Sequence, residues 1–499
     1  MRNISIWEKN TEKRTYPSLS ENINAEIAVI GAGLAGILTA RRLKESGCDV
    51  VVIEKDNLGS GQTKNTTAKI TLQHGLFYND LIKDIGEEHA RLYAEANMRA
   101  IEMYEKMIKN ENIDCDFEKE NAYLYSVISD EKIREEYNAA YSLGIPCEIT
   151  SETSLPFKTV SALRFPNQAQ FHPLKFLYAA ANGLKIYEHS KVLSVDGCGI
   201  KANDLINSSA DETYDRHLPR KSELIVKSEH GTFTVLADKV VFACHYPFIN
   251  IPGYYFIRMH QERSYVLALA NVVSENGIYL SGANKDAKYE GMYYCADEDK
   301  FSFRRAGSLM LFGGGSHRTG DASDNKYEML RTAARQYFPQ SEETACWSAQ
   351  DCITGDYIPF IGTYSSDTPN WYVESGFKKW GMTSSMVASG IIDDLINGRE
   401  NPYIKVFSPQ RHNLSGDLKE MLSDGYNAVK GLSKSAADVL TGNKDEDSAL
   451  TSGEPLRCRH LGCKLAYNPG EDSYDCPCHG SRFTKDGRLI DGPAQEDLT

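Results

Sequence analysis

The segment from Glu26 to Glu54 constrains this 499-residue chain more than any other. A short apolar run, Glu26 to Val29, leads into Gly31-Ala32-Gly33-Leu34-Ala35-Gly36; Ile37 to Ser46 then reads as a helix and Val50 to Ile53 as a second strand ending at Glu54. Each glycine has a task in this frame. Gly31 permits the tight turn, Gly33 lets backbone approach a pyrophosphate, and Gly36 lets helix and strand pack closely, while the helix N-terminus offers its positive dipole end to the phosphates. Glu54 is placed to accept hydrogen bonds from the ribose hydroxyls of an adenosine. A lone G-x-G-x-x-G says little. With strand, helix and acid in register it predicts a dinucleotide site in a Rossmann-like α/β domain.

The other end of the chain carries a second constellation. Cys458-Arg459-His460 and Cys476-Pro477-Cys478-His479-Gly480 supply two thiolates and two imidazoles in C-x-H…C-x-x-H order. Zinc accepts a Cys2His2 set, but zinc fingers usually present C-x-x-C or H-x(3-5)-H pairs, whereas each pair here mixes one Cys with one His. In Rieske-type 2Fe-2S centres two histidines replace two cysteines on one iron. That suits Cys458 and Cys476 on one iron and His460 and His479 on the other, with a zinc knuckle as the alternative. The flanks, Cys-Arg-His-Leu-Gly-Cys from 458 to 463 and Cys-Pro-Cys-His-Gly-Ser-Arg-Phe from 476 to 483, resemble the two cluster loops of Rieske proteins. The resemblance implies a disulfide between Cys463 and Cys478, with two free thiols as the alternative, and a hydrogen bond from Ser481 to a cluster sulfide. Phe483 stands where high-potential Rieske proteins often have Tyr, and the missing hydroxyl implies a lower potential.

The front part resembles the D-amino-acid oxidase-like flavoproteins, whose members include glycine and sarcosine oxidases. Gly59-Ser60-Gly61-Gln62-Thr63, then Thr66-Thr67-Ala68-Lys69-Ile70-Thr71 and Gln73-His74-Gly75, resemble that family's second FAD loop. Val240 to His245 resembles the strand and turn that close over the cofactor, with Cys244 and His245 at its variable end. Asp356 to Gly362, Tyr372 to Gly376 and Trp380-Gly381-Met382-Thr383, followed by a helix from Ser384 to Asn397, resemble the segment that sets backbone amides at the flavin pyrimidine end. Val192 matches a backbone contact to the adenine. The resemblance spans about residues 24 to 400. It implies FAD as cofactor, with contacts from Gly31, Gly33, Gly36, Glu54, Thr66, Thr67, Val192, Ala243, Gly376, Trp380, Gly381, Met382 and Thr383.

These readings predict an α/β chain in which a Rossmann-like FAD-binding domain (24–110, 170–253, 345–402) is interleaved with an α+β substrate domain (111–169, 254–344). Glu87 to Lys109 reads as a long helix, Ser264 to Leu269 and Leu309 to Phe312 as strands of the substrate sheet, and Asn203 to Lys221 as a polar excursion. A connector, 403–453, carries apolar residues at helical spacing from Leu418 to Leu432. A small all-β cluster module, 454–499, follows and looks shortened, because the base strands of a full Rieske domain are not evident before Cys458.

The net charge of −14 argues against a nucleic-acid surface. Met1 to Ser20 lacks the apolar core of a secretory signal, and Arg41-Arg42 falls inside a predicted helix and not in a leader. Eight of the 12 cysteines are scattered through the first 352 residues without metal spacing. The expectation is a cytoplasmic protein with no membrane span.

The predicted function is an FAD-dependent dehydrogenase that oxidises a small amine or amino acid and sends electrons through the cluster to an acceptor. Two alternatives stand beside it: a reductase with flow from cluster to flavin, and a non-catalytic redox sensor or electron-transfer protein. No second G-x-G-x-x-G offers a nicotinamide site. Related oxidases rely on positioning without an obligatory protein base. Candidate site residues are therefore few: Arg304 and Arg305 as a carboxylate clamp, His74 and His245 near the flavin, and Tyr293 and Tyr294 as weaker candidates.

Overall fold

The computed structural model describes residues 3–197, 221–273, 289–298, 301–321, 324–411 and 456–498. The fingerprint segment forms the centre of the first sheet. Ile23–Ile30 pairs in parallel with Val50–Ile53 on one side and with Gly231–Phe242 on the other. Parallel pairing continues outward to Lys185–Tyr187 and to Thr368–Ser375. Ile27, Val29, Val50 and Val52 face one core, which also holds Ile37 and Leu38 of the helix Leu34–Glu45 and Ile391 of the helix Gly381–Ile396. Ala28, Ile30, Val51 and Ile53 face the opposite core with Val240 and Phe242. The strand's period of two thus feeds two cores, which is why these strands are continuously apolar and not alternating.

The second sheet is mixed and larger, with nine strands among the described residues. Met259–Ala270 and Glu342–Thr354 run antiparallel along their whole lengths, Met259 opposite Thr354 and Ala270 opposite Glu342. Leu309–Arg318 flanks the other side of Met259–Ala270. Tyr125, Tyr265, Tyr293, Phe303 and Phe312 fill its aromatic core. A third unit is a four-stranded antiparallel sheet, Ala466–Asn468, Ser473–Asp475, Arg482–Thr484 and Leu489–Asp491, over a core of Cys458, Cys463, Leu465, Tyr474, Cys476, Cys478 and Phe483.

Two expectations shift. Glu342–Thr354 belongs to the second sheet through its antiparallel partner, so the chain re-enters the first sheet at Phe360–Ser365 and not at 345. Lys69–Ile70, expected inside the dinucleotide domain, pairs with Ser161–Gln170 of the second sheet. The long helix expected over 87–109 is present: Gly86, with non-helical backbone at φ 79°, breaks the helical run Tyr78–Glu111, and the long segment follows it. The helical pattern of the connector from Leu418 to Leu432 and the excursion at 203–220 lie outside the described residues. Among the described residues no helix is long and apolar enough to cross a membrane.

Candidate functional site

The turn after Ile23–Ile30 opens into a cavity of about 1640 Å³, larger than a drug-sized ligand needs and roomy enough for a dinucleotide beside a small substrate. Gly31 takes φ 109°, and a Cβ there would lie 2.6 Å from the Ala243 carbonyl oxygen. A Cβ on Gly36 would sit 2.1 Å from the Gly31 carbonyl oxygen. Strand, turn and helix therefore close on one another only with glycine at both places. Glu54 Oε2 accepts from the Ala32 N–H at 2.7 Å and its Oε1 from the Asp56 N–H at 2.9 Å, while Thr63 Oγ1 accepts from the Leu34 N–H at 2.9 Å. Burial pushes the Glu54 carboxyl up.

Of the residues that the flavoprotein resemblance marks, Gly31, Gly33, Glu54, Thr66, Thr67, Val192, Ala243, Gly376, Trp380, Gly381 and Met382 line this one cavity. Gly36 and Thr383 stand just behind the lining, Gly36 in the helix-to-turn contact and Thr383 with its hydroxyl 3.4 Å from His74 Nε2. Gly381–Ile396 begins at the cavity wall. The first-turn amides of a helix have no intrahelical acceptor and carry its positive dipole end. The glycine cradle, the acid at the adenosine end and this helix start fit an FAD laid across the cavity.

The candidate catalytic residues fare differently. Arg304 is buried and does not line the cavity: Nε donates to Gln170 Oε1 at 2.8 Å, one Nη to Ala68 O at 3.0 Å and also to Thr67 O, and the other to Phe171 O at 3.1 Å. Its guanidinium buckles the second FAD loop to the substrate sheet, which leaves no fork for a substrate carboxylate. Arg305 lies 3.8 Å from Glu118, away from the lining. Tyr293 stacks on Tyr123 at 4.6 Å, its hydroxyl bonded to the Ser154 N–H and the Glu290 carbonyl. Tyr294 does line the cavity and meets Trp380 edge-on. His74 also lines it, stacked on Trp380 at 4.9 Å, but both ring nitrogens are engaged, by Tyr93 Oη and Thr71 O at 2.9 Å each. Burial, helped by Lys378, pulls its pKa down to about 3, so it is a neutral spacer at physiological pH. His245 lines the cavity beside Asp491 and is pulled down by burial.

Sequence reading passed over a cluster on the substrate side. Asp351, paired opposite Glu262 across Glu342–Thr354 and Met259–Ala270, is pushed up to about 7 by burial, against the pull of Lys379. Glu262 is held down at about 2 by His260 and by Lys379, whose Nζ is 3.3 Å away; these outweigh the burial that would raise it. Lys69 is lowered to about 7, first by burial and then by Arg304, while its Nζ donates to Tyr293 O at 2.8 Å. Asp351, Glu262, Lys379 and Lys69 all line the cavity. No motif links them: Asp351 and Glu262 meet through strand pairing, Lys379 reaches them from a turn, and Lys69 comes from a strand paired with Ser161–Gln170.

In the C-terminal unit the two ligand loops are built alike. The Gly462 N–H donates to Cys458 O and the Gly480 N–H to Cys476 O, each at 2.9 Å, and both glycines have positive φ, 77° and 84°. The Cys458 and Cys476 thiols are in hydrogen-bonding contact, which pushes Cys458 down and Cys476 up. His460 and His479 meet edge to face with ring centroids 4.9 Å apart. His460 Nε2 is 3.0 Å from Asn250 Oδ1, and its Nδ1 is buried with no hydrogen-bond partner. Cys463 and Cys478 are joined as a disulfide and lie with Cys476 in one sulfur cluster, leaving Cys458 and Cys476 as the pair open to metal. Two adjacent thiols, two adjacent imidazoles and a buried ring nitrogen lacking a protein partner fit a Rieske 2Fe-2S centre. Asn250 would orient the His460 ring from outside the ligand shell.

Comparison with known proteins gives the same two parts. The family described as FAD dependent oxidoreductase matches residues 26–395, and the Rieske [2Fe-2S] domain family matches 443–499. A chain of Bacillus subtilis (strain 168) named as a Rieske 2Fe-2S iron-sulfur protein, YhfW, is 34% identical over 532 aligned positions, covering 99% of this chain and 96% of that one. Among solved structures, glycine oxidase from Geobacillus kaustophilus superposes with a TM-score of 0.59 at 16% identity, covering 78% of this chain and 99% of that one. L-proline dehydrogenase from P. horikoshii does so at 0.59 and 19%, covering 79% and 98%. At these identities the likeness of the solved structures is one of fold. The chain belongs to the FAD-dependent oxidoreductase family of the D-amino-acid oxidase type and carries a Rieske 2Fe-2S domain at its C-terminal end.

Proposed function

We propose that this protein is a dehydrogenase that oxidises a small amine or amino acid at its flavin and delivers the electrons, through its own cluster, to a separate acceptor. The observation that carries the reading is the continuity of one cavity, which runs from the glycine turn to the Asp351 and Tyr294 side of the substrate sheet and is walled by the cluster module at Asp491. Bound FAD takes two electrons at once as a hydride while a 2Fe-2S cluster carries them singly, so the pair suits two-electron oxidation coupled to one-electron traffic. The names of the fold neighbours, glycine oxidase and L-proline dehydrogenase, support an amine substrate.

The chain's residues divide the work. An amine arrives as an ammonium and must lose a proton; Asp351, poised near 7, is the cavity carboxylate suited to take it. Lys379 and Glu262 form a fixed ion pair beside it. Trp380, held against His74, makes a flat apolar wall, and Tyr104 Oη, donating to Met382 O at 2.8 Å, fixes the start of the helix at the cavity wall, where it would meet the flavin. Free thiols at Cys48, Cys115, Cys147 and Cys244 support a reducing, cytoplasmic setting.

The test is an anaerobic screen of amines and amino acids against the holoprotein, following flavin absorbance and the cluster signal together. We expect an amine to bleach the flavin and then reduce the cluster of the same chain. Reduction by NADH or NADPH, with every amine inert, would overturn the proposal.

A further inference from the structure

Three glutamine amides join the dinucleotide site to the cluster loop. Gln62, in the second FAD loop, donates from Nε2 to Asp491 Oδ2 at 2.7 Å, and its Oε1 accepts from the Gln350 backbone N–H at 2.8 Å. Gln350 Nε2 donates to Gly480 O at 2.8 Å and to Gln261 Oε1 at 2.6 Å. Gln261 Nε2 donates to His479 O at 2.6 Å. The chain of contacts therefore runs from a loop that lines the flavin cavity to a carbonyl of a cluster-ligand residue. Gln261 and Gln350 are each 1% exposed, and a buried amide that loses its partner costs its full desolvation. Undocking the module would strip two carbonyl acceptors from this relay.

The surroundings leave little slack. A Cβ on Gly320, at the end of a substrate-sheet strand, would lie 2.4 Å from Pro477 N, and one on Gly480 would lie 2.7 Å from Gln261 Cβ. Asp475 sits between buried Arg263, at 3.8 Å, and Arg482, at 3.2 Å, while Glu471 accepts from Tyr327 Oη at 2.6 Å. At the adenosine end, Asp491, Gly492 and Gln495 of the module line the same cavity as Gly31 and Glu54, and Lys191 Nζ donates to Gln495 O.

We infer that the cluster module is the outer wall of the FAD site, and that flavin loading and module docking are one coupled event transmitted through Gln62, Gln350 and Gln261. Coupling of this kind is reciprocal: whatever factor docking adds to FAD affinity, FAD adds to docking. The inference rests on the two cofactor sites and not on the substrate, so it survives a failed amine screen.

The test uses the full-length, cluster-loaded protein. Deuterium uptake over 473–492 is measured with FAD bound and after FAD removal, and FAD release is timed for wild type, Gln261→Leu and Gly320→Val, with iron content determined in each. Neither substituted residue lines the cavity. We expect uptake over 473–492 to rise when FAD is removed, and FAD to leave at least about tenfold faster from both variants, Gln261→Leu by removing the relay's buried hydrogen bonds and Gly320→Val by displacing Pro477. Uptake indifferent to FAD, or release within about twofold of wild type in both variants with iron retained, would overturn the coupling.

Discussion

Asp351 shows how far a residue's chemistry depends on what its strand is paired with. It lies opposite Glu262 only because Glu342–Thr354 and Met259–Ala270 pair in one register, with Lys379 brought beside the pair by a turn, and burial then carries it to about 7. A proton acceptor must be ionised, so kcat/KM for an amine should rise with pH and level off above about 7. Asp351→Asn should remove that acidic limb and lower kcat/KM by about 10²-fold, as general bases typically contribute; an unchanged pH profile would contradict the role. Residue-level reading from sequence was uneven for a physical reason. Metal and glycine motifs are local, and their spacing states their task. The two arginines at 304 and 305 are distinguished only by which carbonyls surround them, and backbone oxygens at 67, 68 and 171 claim Arg304.

At the scale of elements, the strand-turn-helix unit was legible because each of its parts is fixed by neighbours within a few residues. The helix follows directly on Gly33 and Val50–Ile53 is fully buried, as a strand covered on both faces must be. The contact between Gly36 and Gly31 gives a sharp test. Gly36→Ala places a methyl against a backbone oxygen 2.1 Å away, which cannot swing aside. Overpacking of this kind costs about 1–3 kcal/mol. The flavin-to-protein ratio of the purified variant should fall at least about tenfold while cluster content stays near wild type; full flavin occupancy would show that the turn tolerates the methyl. Element boundaries were less legible where pairing is distant. Nothing near Ala345 announces that its strand continues the substrate sheet, because its partner lies some eighty residues earlier, at Ala268.

For the whole molecule, the two cofactor sites were legible at opposite ends of the sequence, but their contact was not. Gln62, Gln261, Gln350, His479 and Asp491 meet in one place only through tertiary packing, and glutamines on strands carry no signal of what covers them. The module's core of Cys458, Leu465, Tyr474 and Phe483 is extended by the disulfide and by the buried ion pair of Asp475 with Arg263 of the substrate sheet. One chain holds a flavin and a Rieske cluster as a pair. Electron paramagnetic resonance of the anaerobically purified, dithionite-reduced protein, with iron, zinc and flavin quantified in the same sample, tests it most directly. A rhombic Rieske-type signal with FAD and cluster in equal amounts is expected; zinc in place of iron, or flavin without the signal, would contradict the pairing.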